Sequence, residues 1–419
     1  MSPAHHSFAG GAPSRQARLS ESPIRLGSGQ PAHLPVTEDP LSGDLTSSPT
    51  RESSGLDTAV RDESVDTAQL VETALTEFFA SKRQLVGALG GGYADAVDDL
   101  VAFVLRGGKR LRPAFAWTAW LGAGGDRHGP DASAVLRACA SLELIQACAL
   151  IHDDIIDASL TRRGFPTVHV GLAERHRAQQ WSGSATRFGE SAAILLGDLA
   201  LCWADDMLRE SGLDASAMAR ISPVWSAMRT EVLGGQLLDI EAEAGRDESV
   251  DAAMRVNRFK TAAYTVERPL HLGAAIAGAS DLVVASLRSF GTDIGVAFQL
   301  RDDLLGVFGD PAVTGKPSGD DIREGKRTVL MAVGLQRADA GHADVATLLR
   351  TSLGSEDLTD EQIHAIRAAL TDLGAVDDVE QRITELTERA LDTLAAADID
   401  AEAATRLHAI AIAATQRKY

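Results

Sequence analysis

The stretch Ser141–Gly164, SLELIQACALIHDDIIDASLTRRG, decides how the rest of this chain is read. Its first half is apolar with helical spacing. Its second half sets Asp153, Asp154 and Asp157 at the end of that run, with Arg162 and Arg163 just beyond. Residues four apart share a helix face, so Asp153 and Asp157 point the same way and Asp154 lies beside them. Carboxylates packed against an apolar segment need a compensating charge. A hard divalent cation such as Mg²⁺ supplies it, because it takes oxygen ligands from a few carboxylates together with phosphate oxygens. The two arginines can fork onto that same phosphate. A solvated acidic helix end is the alternative for DDIID alone, and the apolar run directly before it argues against that reading.

Outward from this stretch, the pattern is helix after helix. Apolar residues recur at i, i+3, i+4 and i+7 over 65–86 and 93–107, separated by a breaker at Gly87–Gly92. Further helical segments are expected at 131–160, 191–211, 215–244, 249–278, 281–309, 326–351, 359–373, 375–395 and 401–416. No segment shows the alternation of a strand. The expected fold is therefore all-α, a large single-domain bundle over residues 66–419. Residues 1–65, rich in Ser, Pro, Gly, His and Asp, bury too little apolar surface to offset their ordering entropy and are expected to form a disordered tail. Two polar stretches, 169–191 and 309–327, are expected to be loops.

Acidic residues outnumber basic ones by 59 to 40, for a formal charge of −19. That balance argues against a nucleic-acid or anionic-membrane binder. An anionic substrate would have to meet its cations in local clusters. Three such clusters exist, in GGKRLRP at 107–113, TRRG at 161–164 and GKR at 325–327. The cysteines, Cys139, Cys148 and Cys202, are odd in number and lack metal-ligand spacing, as expected of core thiols in a reducing compartment. With no run of 18 apolar residues and no leader, a cytoplasmic protein without a transmembrane segment is expected.

A second acidic site repeats the first. GTDIGVAFQLRDDLLGVFGD, 291–310, is an apolar helix ending in Asp302 and Asp303. Two such helix ends facing one another across a cavity can share ions on one phosphate group, a recurrent way of building sites in helical bundles. Lys109 and Arg112, three apart, can share a helix face, and Lys260, Lys316 and Lys326 lie in polar or small-residue settings suited to a diphosphate.

Together, GGKRLRP, HDDIID with TRRGFPTVH, LLGDLAL at 195–201, GGQLLDIE at 234–241, KTAAYT at 260–265, FQLRDD at 298–303 and GKPSGDDIREGKRT at 315–328 resemble the trans-isoprenyl diphosphate synthases, the polyprenyl synthetase family, geranylgeranyl diphosphate synthases among them. The resemblance spans about residues 66–419, in the family's order and spacing. It implies a helical bundle of the isoprenoid synthase type around a central cavity. It also implies a homodimer. Mg²⁺ ions on Asp153, Asp154 and Asp157 and on Asp302 and Asp303 would clamp the diphosphate of an allylic substrate, contacted by Arg162, Lys260, Thr261, Gln299 and Lys316. Lys109, Arg112 and Arg163 would hold isopentenyl diphosphate, with Lys326 and Arg417 near the closing site. Asp153, Asp157, Arg162, Lys260 and Asp302 carry the catalysis in this reading, and Gln236 and Asp239 orient the metal site from behind.

Two positions depart from the family pattern. Gln146 stands where His is common, altering one contact to isopentenyl diphosphate. Gly306 replaces the third carboxylate of the second motif, with Asp310 and Asp321 nearby in sequence. A growing prenyl chain should lie along the first acidic helix, one isoprene unit per turn of ~5.4 Å. Cys148 and Ala149, one turn before Asp153, are both small and leave room for a product of twenty carbons or more, geranylgeranyl diphosphate favoured. The alternatives are a longer-chain polyprenyl synthase, a non-catalytic subunit of a heteromeric synthase, and a terpene cyclase, which would not need cations for a second diphosphate.

Overall fold

Side-chain caps set many of the helix starts: Asp66 accepts from the Gln69 amide at 2.8 Å and Asp214 from Ala217 at 2.7 Å, and Thr359 with Gln362 forms a reciprocal capping box. The computed structural model describes residues 55–62, 65–309, 319–355 and 357–416. Its helices, in order, are α1 (Gly55–Ala59), α2 (Thr67–Leu89), α3 (Tyr93–Leu105), α4 (Leu111–Gly122), α5 (Ala132–Ala140), α6 (Leu142–Ile156), α7 (Val168–Ala178), α8 (Ala185–Arg209) and α9 (Ala215–Ala244). There follow α10 (Val250–Val256), α11 (Arg268–Ala277), α12 (Asp281–Phe308), α13 (Asp320–Arg323), α14 (Val329–Asp339), α15 (Ala343–Ser352), α16 (Asp360–Asp372), α17 (Ala375–Ala395) and α18 (Ala401–Thr415). The described strands, β1 (Thr161–Arg162) and β2 (Phe165–Pro166), form a small antiparallel hairpin after α6. The all-α expectation holds.

One core gathers around α2, α5, α6 and α8, with Leu136, Leu144, Ile151 and Trp203 inside it. A second lies between the end of α12 and α14 to α17. A third joins α4, α11, α12, α17 and α18 through Phe115, Phe290, Leu287 and Leu407. Ala132–Ile156 is apolar enough in length and composition to cross a membrane, yet 78% of its most apolar window is buried inside the bundle, as befits a core element.

Between α10 and α11 the helix widens into a π-helical stretch, Asn257–Glu267. Such stretches often sit at functional sites. Glycines let two neighbouring helices close on it: a Cβ at Gly235 of α9 would lie 2.2 Å from the Lys260 amide nitrogen, and one at Gly295 of α12 would lie 2.6 Å from the Ala262 Cα. Because the obstructing atoms are backbone, Gly235→Ala is expected to cost ~1–3 kcal/mol of stability, read as a lower urea midpoint. A midpoint equal to that of the unmodified chain would show that α9 does not need this approach.

Several expectations are corrected. Leu56 and Val60 are buried at 0% and 1% exposure in a segment assigned to the tail, and Arg127 binds the Val60 carbonyl at 2.7 Å; packing starts about ten residues earlier than expected. The stretch 169–191 is mostly helix, α7 and the start of α8. Its periodicity is masked because the buried face of α7 uses His169 and His176 beside Leu172 and Ala173. Helix α4 is absent from the expected segments because Phe115, Trp117, Thr118 and Trp120 are all buried, so it lacks an apolar stripe. The segment 131–160 breaks at Ser141 and 326–351 breaks at 340–342.

Candidate active site

A cavity of about 1180 Å³ opens between α6, α9, the π-helical stretch and α12. Lys109, Arg112, Gln146, Ala149, Asp153, Asp157, Arg162, Arg163, Lys260, Thr261, Gln299, Asp302, Asp303 and Lys326 all line it, as do Gln236 and Asp239. The π-helical stretch presents Asn257, Lys260, Thr261, Tyr264 and Thr265 to the same space. Of these, Asn257, Tyr264 and Thr265 are not picked out by sequence reasoning. Tyr264 and Thr265 sit inside the quoted KTAAYT motif, and only the packing of their helix shows that they face the cavity.

The first acidic site is crowded with charge. Asp153 lies 3.1 Å from the Lys260 ammonium and 3.6 Å from Arg162, and Lys260 is also held by Asp239 at 2.6 Å. Asp157 is 3.7 Å from Lys326, whose ammonium also meets Glu324 at 2.6 Å and Asp321 at 3.7 Å. Burial and the neighbouring Asp153 push the Asp157 carboxyl up to about 6. Lys260 and Lys326 are raised by the carboxylates around them, which more than offset burial, so both stay protonated.

Asp154 behaves differently from its neighbours. It is 1% exposed, does not line the cavity, and receives Arg162 at 2.8 Å through Nε and 2.6 Å through Nη2. Its Oδ1 holds the arginine, and its Oδ2 is buried without a hydrogen bond. Cys148 is likewise turned away from the cavity. Its sulfur lies 3.8 Å from His152 Nδ1, whose Nε2 is 3.1 Å from the Ile194 carbonyl of α8. Of the two residues expected to bound product length, Ala149 alone lines the cavity.

In the second acidic site, Asp302 and Asp303 both border the cavity, and Asp303 is almost fully buried, accepting from Gln299 at 2.8 Å and Asn257 at 3.4 Å. Burial pushes the Asp303 carboxyl up to about 7. The missing third carboxylate has a local answer: a Cβ at Gly306 would fall 1.8 Å from Asp321 Oδ2. Asp321 from α13 thus occupies the space that an acidic side chain at position 306 would need. Lys316, Asp310 and Arg417 lie outside the described residues.

On the other wall, Arg112 stacks 4.1 Å above the Tyr264 ring and donates to Thr265 Oγ1 at 2.7 Å. Tyr264 donates its hydroxyl to the Gln146 side-chain oxygen, leaving the Gln146 amide as a donor. Arg110 also borders the cavity, but its guanidinium is buried against Glu143 at 2.6 Å.

Among the described residues no three His, Cys, Asp or Glu side chains form a ready metal cage. The residues present still fit a hard divalent ion that shares its coordination with a substrate phosphate. Asp153 Oδ1 is buried without a hydrogen bond, opposed only by the Lys260 ammonium, and the donors on both helix ends are carboxylate oxygens.

The profile of the polyprenyl synthetase family matches residues 95–370. A geranylfarnesyl diphosphate synthase of Aeropyrum pernix is 35% identical over 302 residues, 71% of this chain and 86% of that one. A geranylgeranyl diphosphate synthase of Saccharolobus solfataricus is 33% identical, over 61% of this chain and 70% of the other. The crystal structure of a geranylgeranyl pyrophosphate synthase from Corynebacterium glutamicum, complexed with isoprenyl diphosphate and magnesium, superposes with a TM-score of 0.82 at 52% identity, covering 84% of this chain and all of that one.

Proposed function

Because the chain belongs to the polyprenyl synthetase family, we propose that it condenses isopentenyl diphosphate with an allylic diphosphate to give a trans-prenyl diphosphate of twenty carbons or more, geranylgeranyl diphosphate favoured. One observation carries this reading: two acidic helix ends and cations enough for two diphosphates line a single cavity that also reaches the small Ala149. A terpene cyclase would have no use for Lys109, Arg112 and Arg163. A non-catalytic subunit would be expected to have lost part of the set, and this chain retains both acidic pairs.

Asp153, Asp157 and Asp302 are the residues we assign to Mg²⁺, with Asp303 and Asp321 in support. The bound ions would neutralise the allylic diphosphate so that it can leave. Lys260, fixed between Asp153 and Asp239, and Arg162, aimed by Asp154, add preorganised positive charge to that leaving group. Arg112 and Arg163, with Lys109, orient the second diphosphate so that its double bond faces the allylic carbon. The double bond attacks that carbon, the carbon–oxygen bond breaks, and a proton lost from the adjacent carbon closes the new alkene. Among the described residues no histidine lines the cavity. We assign the proton to the released pyrophosphate, and replacement of one uncharged polar residue that stopped deprotonation yet left ionisation intact would overturn that assignment.

A homodimer would cover the exposed Ile194 and Leu195 of α8, and the free thiols suit the reducing cytoplasm. The deciding experiment incubates the purified protein with Mg²⁺, labelled isopentenyl diphosphate and dimethylallyl, geranyl or farnesyl diphosphate, and sizes the products. Products of twenty carbons or more are expected. Hydrolysis or cyclisation without elongation would end the proposal.

A further inference from the structure

The cations of the second diphosphate site sit on two separate elements, and something must hold those elements together while the site is empty. One element is the β1–β2 hairpin. Thr161 pairs with Pro166 and Arg162 with Phe165, and the turn residues Arg163 and Gly164 have φ of 54° and 78°. Two consecutive left-handed residues mark a type I′ turn, whose twist suits a two-residue hairpin. The other element is the loop after α3 that carries Lys109 and runs into the first turn of α4 with Arg112; in it Gly107 and Gly108 take φ of 98° and 152°.

Like charges push these elements apart. Burial, with Arg162, Arg110 and Arg112 nearby, lowers the Arg163 guanidinium from its usual value despite the pull of Glu143. Two contacts oppose the repulsion. Arg163 donates Nη1 to the Gly107 carbonyl at 2.9 Å, passing so near Gly108 that a Cβ there would be 3.1 Å from the same nitrogen. The Arg106 guanidinium lies 4.3 Å over the Phe165 ring. Both partners of this second contact border the cavity, and Phe165 remains 49% exposed, so its ring is not a core residue. The far end of the loop is already tied down, because Arg110 binds Glu143 and the Val104 carbonyl. Its near end is met by the hairpin.

We propose that Arg106 and Phe165 are positioning residues: their cation–π contact latches hairpin to loop and sets the spacing of Arg163 from Lys109 and Arg112, and with it the affinity for isopentenyl diphosphate. The proposal rests on the assignment of that substrate to those three cations. An aromatic ring holds a guanidinium without adding negative charge that would compete with the diphosphate.

Steady-state kinetics with each diphosphate varied in turn test the latch. Phe165→Ala is expected to raise the KM for isopentenyl diphosphate about fivefold, ~1 kcal/mol, with kcat and the allylic KM changed by less than about twofold. Phe165→Trp should restore the KM, since indole is the best cation–π acceptor. Arg106→Met should give the same shift as Phe165→Ala, and the double variant no more than either, with thermal midpoints unchanged. An unaltered KM in Phe165→Ala, shifts that add in the double variant, or equal changes in both KM values would overturn the latch. A wild-type protein that elongates nothing would instead overturn the functional reading beneath it.

Discussion

Asp153→Asn is expected to lower kcat/KM for chain elongation about a thousandfold, ~4 kcal/mol of transition-state stabilisation, while leaving the fold intact. Asparagine keeps the shape of the side chain and removes only its charge. Lys260 keeps its 2.6 Å partner Asp239, so no buried ammonium is stranded and the thermal midpoint should move by only a few degrees. The Mg²⁺ concentration for half-maximal rate should rise, because the ion loses an anionic oxygen at a position where the existing one is buried without a hydrogen bond. Asp154→Asn provides the contrast. Its carboxylate is paired with Arg162 outside the cavity, so its loss should weaken allylic diphosphate binding with little change in Mg²⁺ requirement. Equal metal dependence in the two variants would show that Asp153 and Asp154 are not divided in this way.

Ala149→Phe is expected to move the product from twenty carbons or more to fifteen, starting from dimethylallyl diphosphate. A phenyl ring at a cavity-lining position one turn before Asp153 fills the path that the growing chain must take, ~5.4 Å along the helix. Cys148→Tyr, at the adjacent position, should not shorten the product. Cys148 is 4% exposed in the core shared with α8, so a tyrosine there overpacks that interface at ~1–3 kcal/mol and lowers the melting temperature. Radiolabelled product sizing and thermal melts on both variants separate the two roles. Full-length product from Ala149→Phe would mean that the chain leaves the cavity by another route.

These variants turn on a distinction that sequence reasoning does not reach. Cys148 and Ala149 are both small residues on an apolar run, and neighbours on a helix point about 100° apart. Which of them meets the cavity depends on how α6 is rotated against α8, where His152 reaches the Ile194 carbonyl and Gly197 leaves room for the ring. The same rotation turns Asp153 and Asp157 inward and Asp154 toward Arg162. The second motif poses the same problem: Gly306 reads as a gap along the chain, and Asp321 fills it only after α13 folds back onto α12.

The amino-acid sequence by itself determined the all-α class, most helix spans, and many of the residues that line the cavity, because these follow from apolar periodicity and the clustering of carboxylates and cations into motifs. Tertiary structure alone decided the direction of each side chain within those motifs, the π-helical widening that carries Lys260 and Tyr264, and the hairpin clasped to the loop at Gly107. The physical reason is one of range. Periodicity and capping act over one or two turns of chain, whereas rotation of a helix about its axis, and the glycine contacts that let α9 and α12 close on their neighbour, are set by residues far away in sequence.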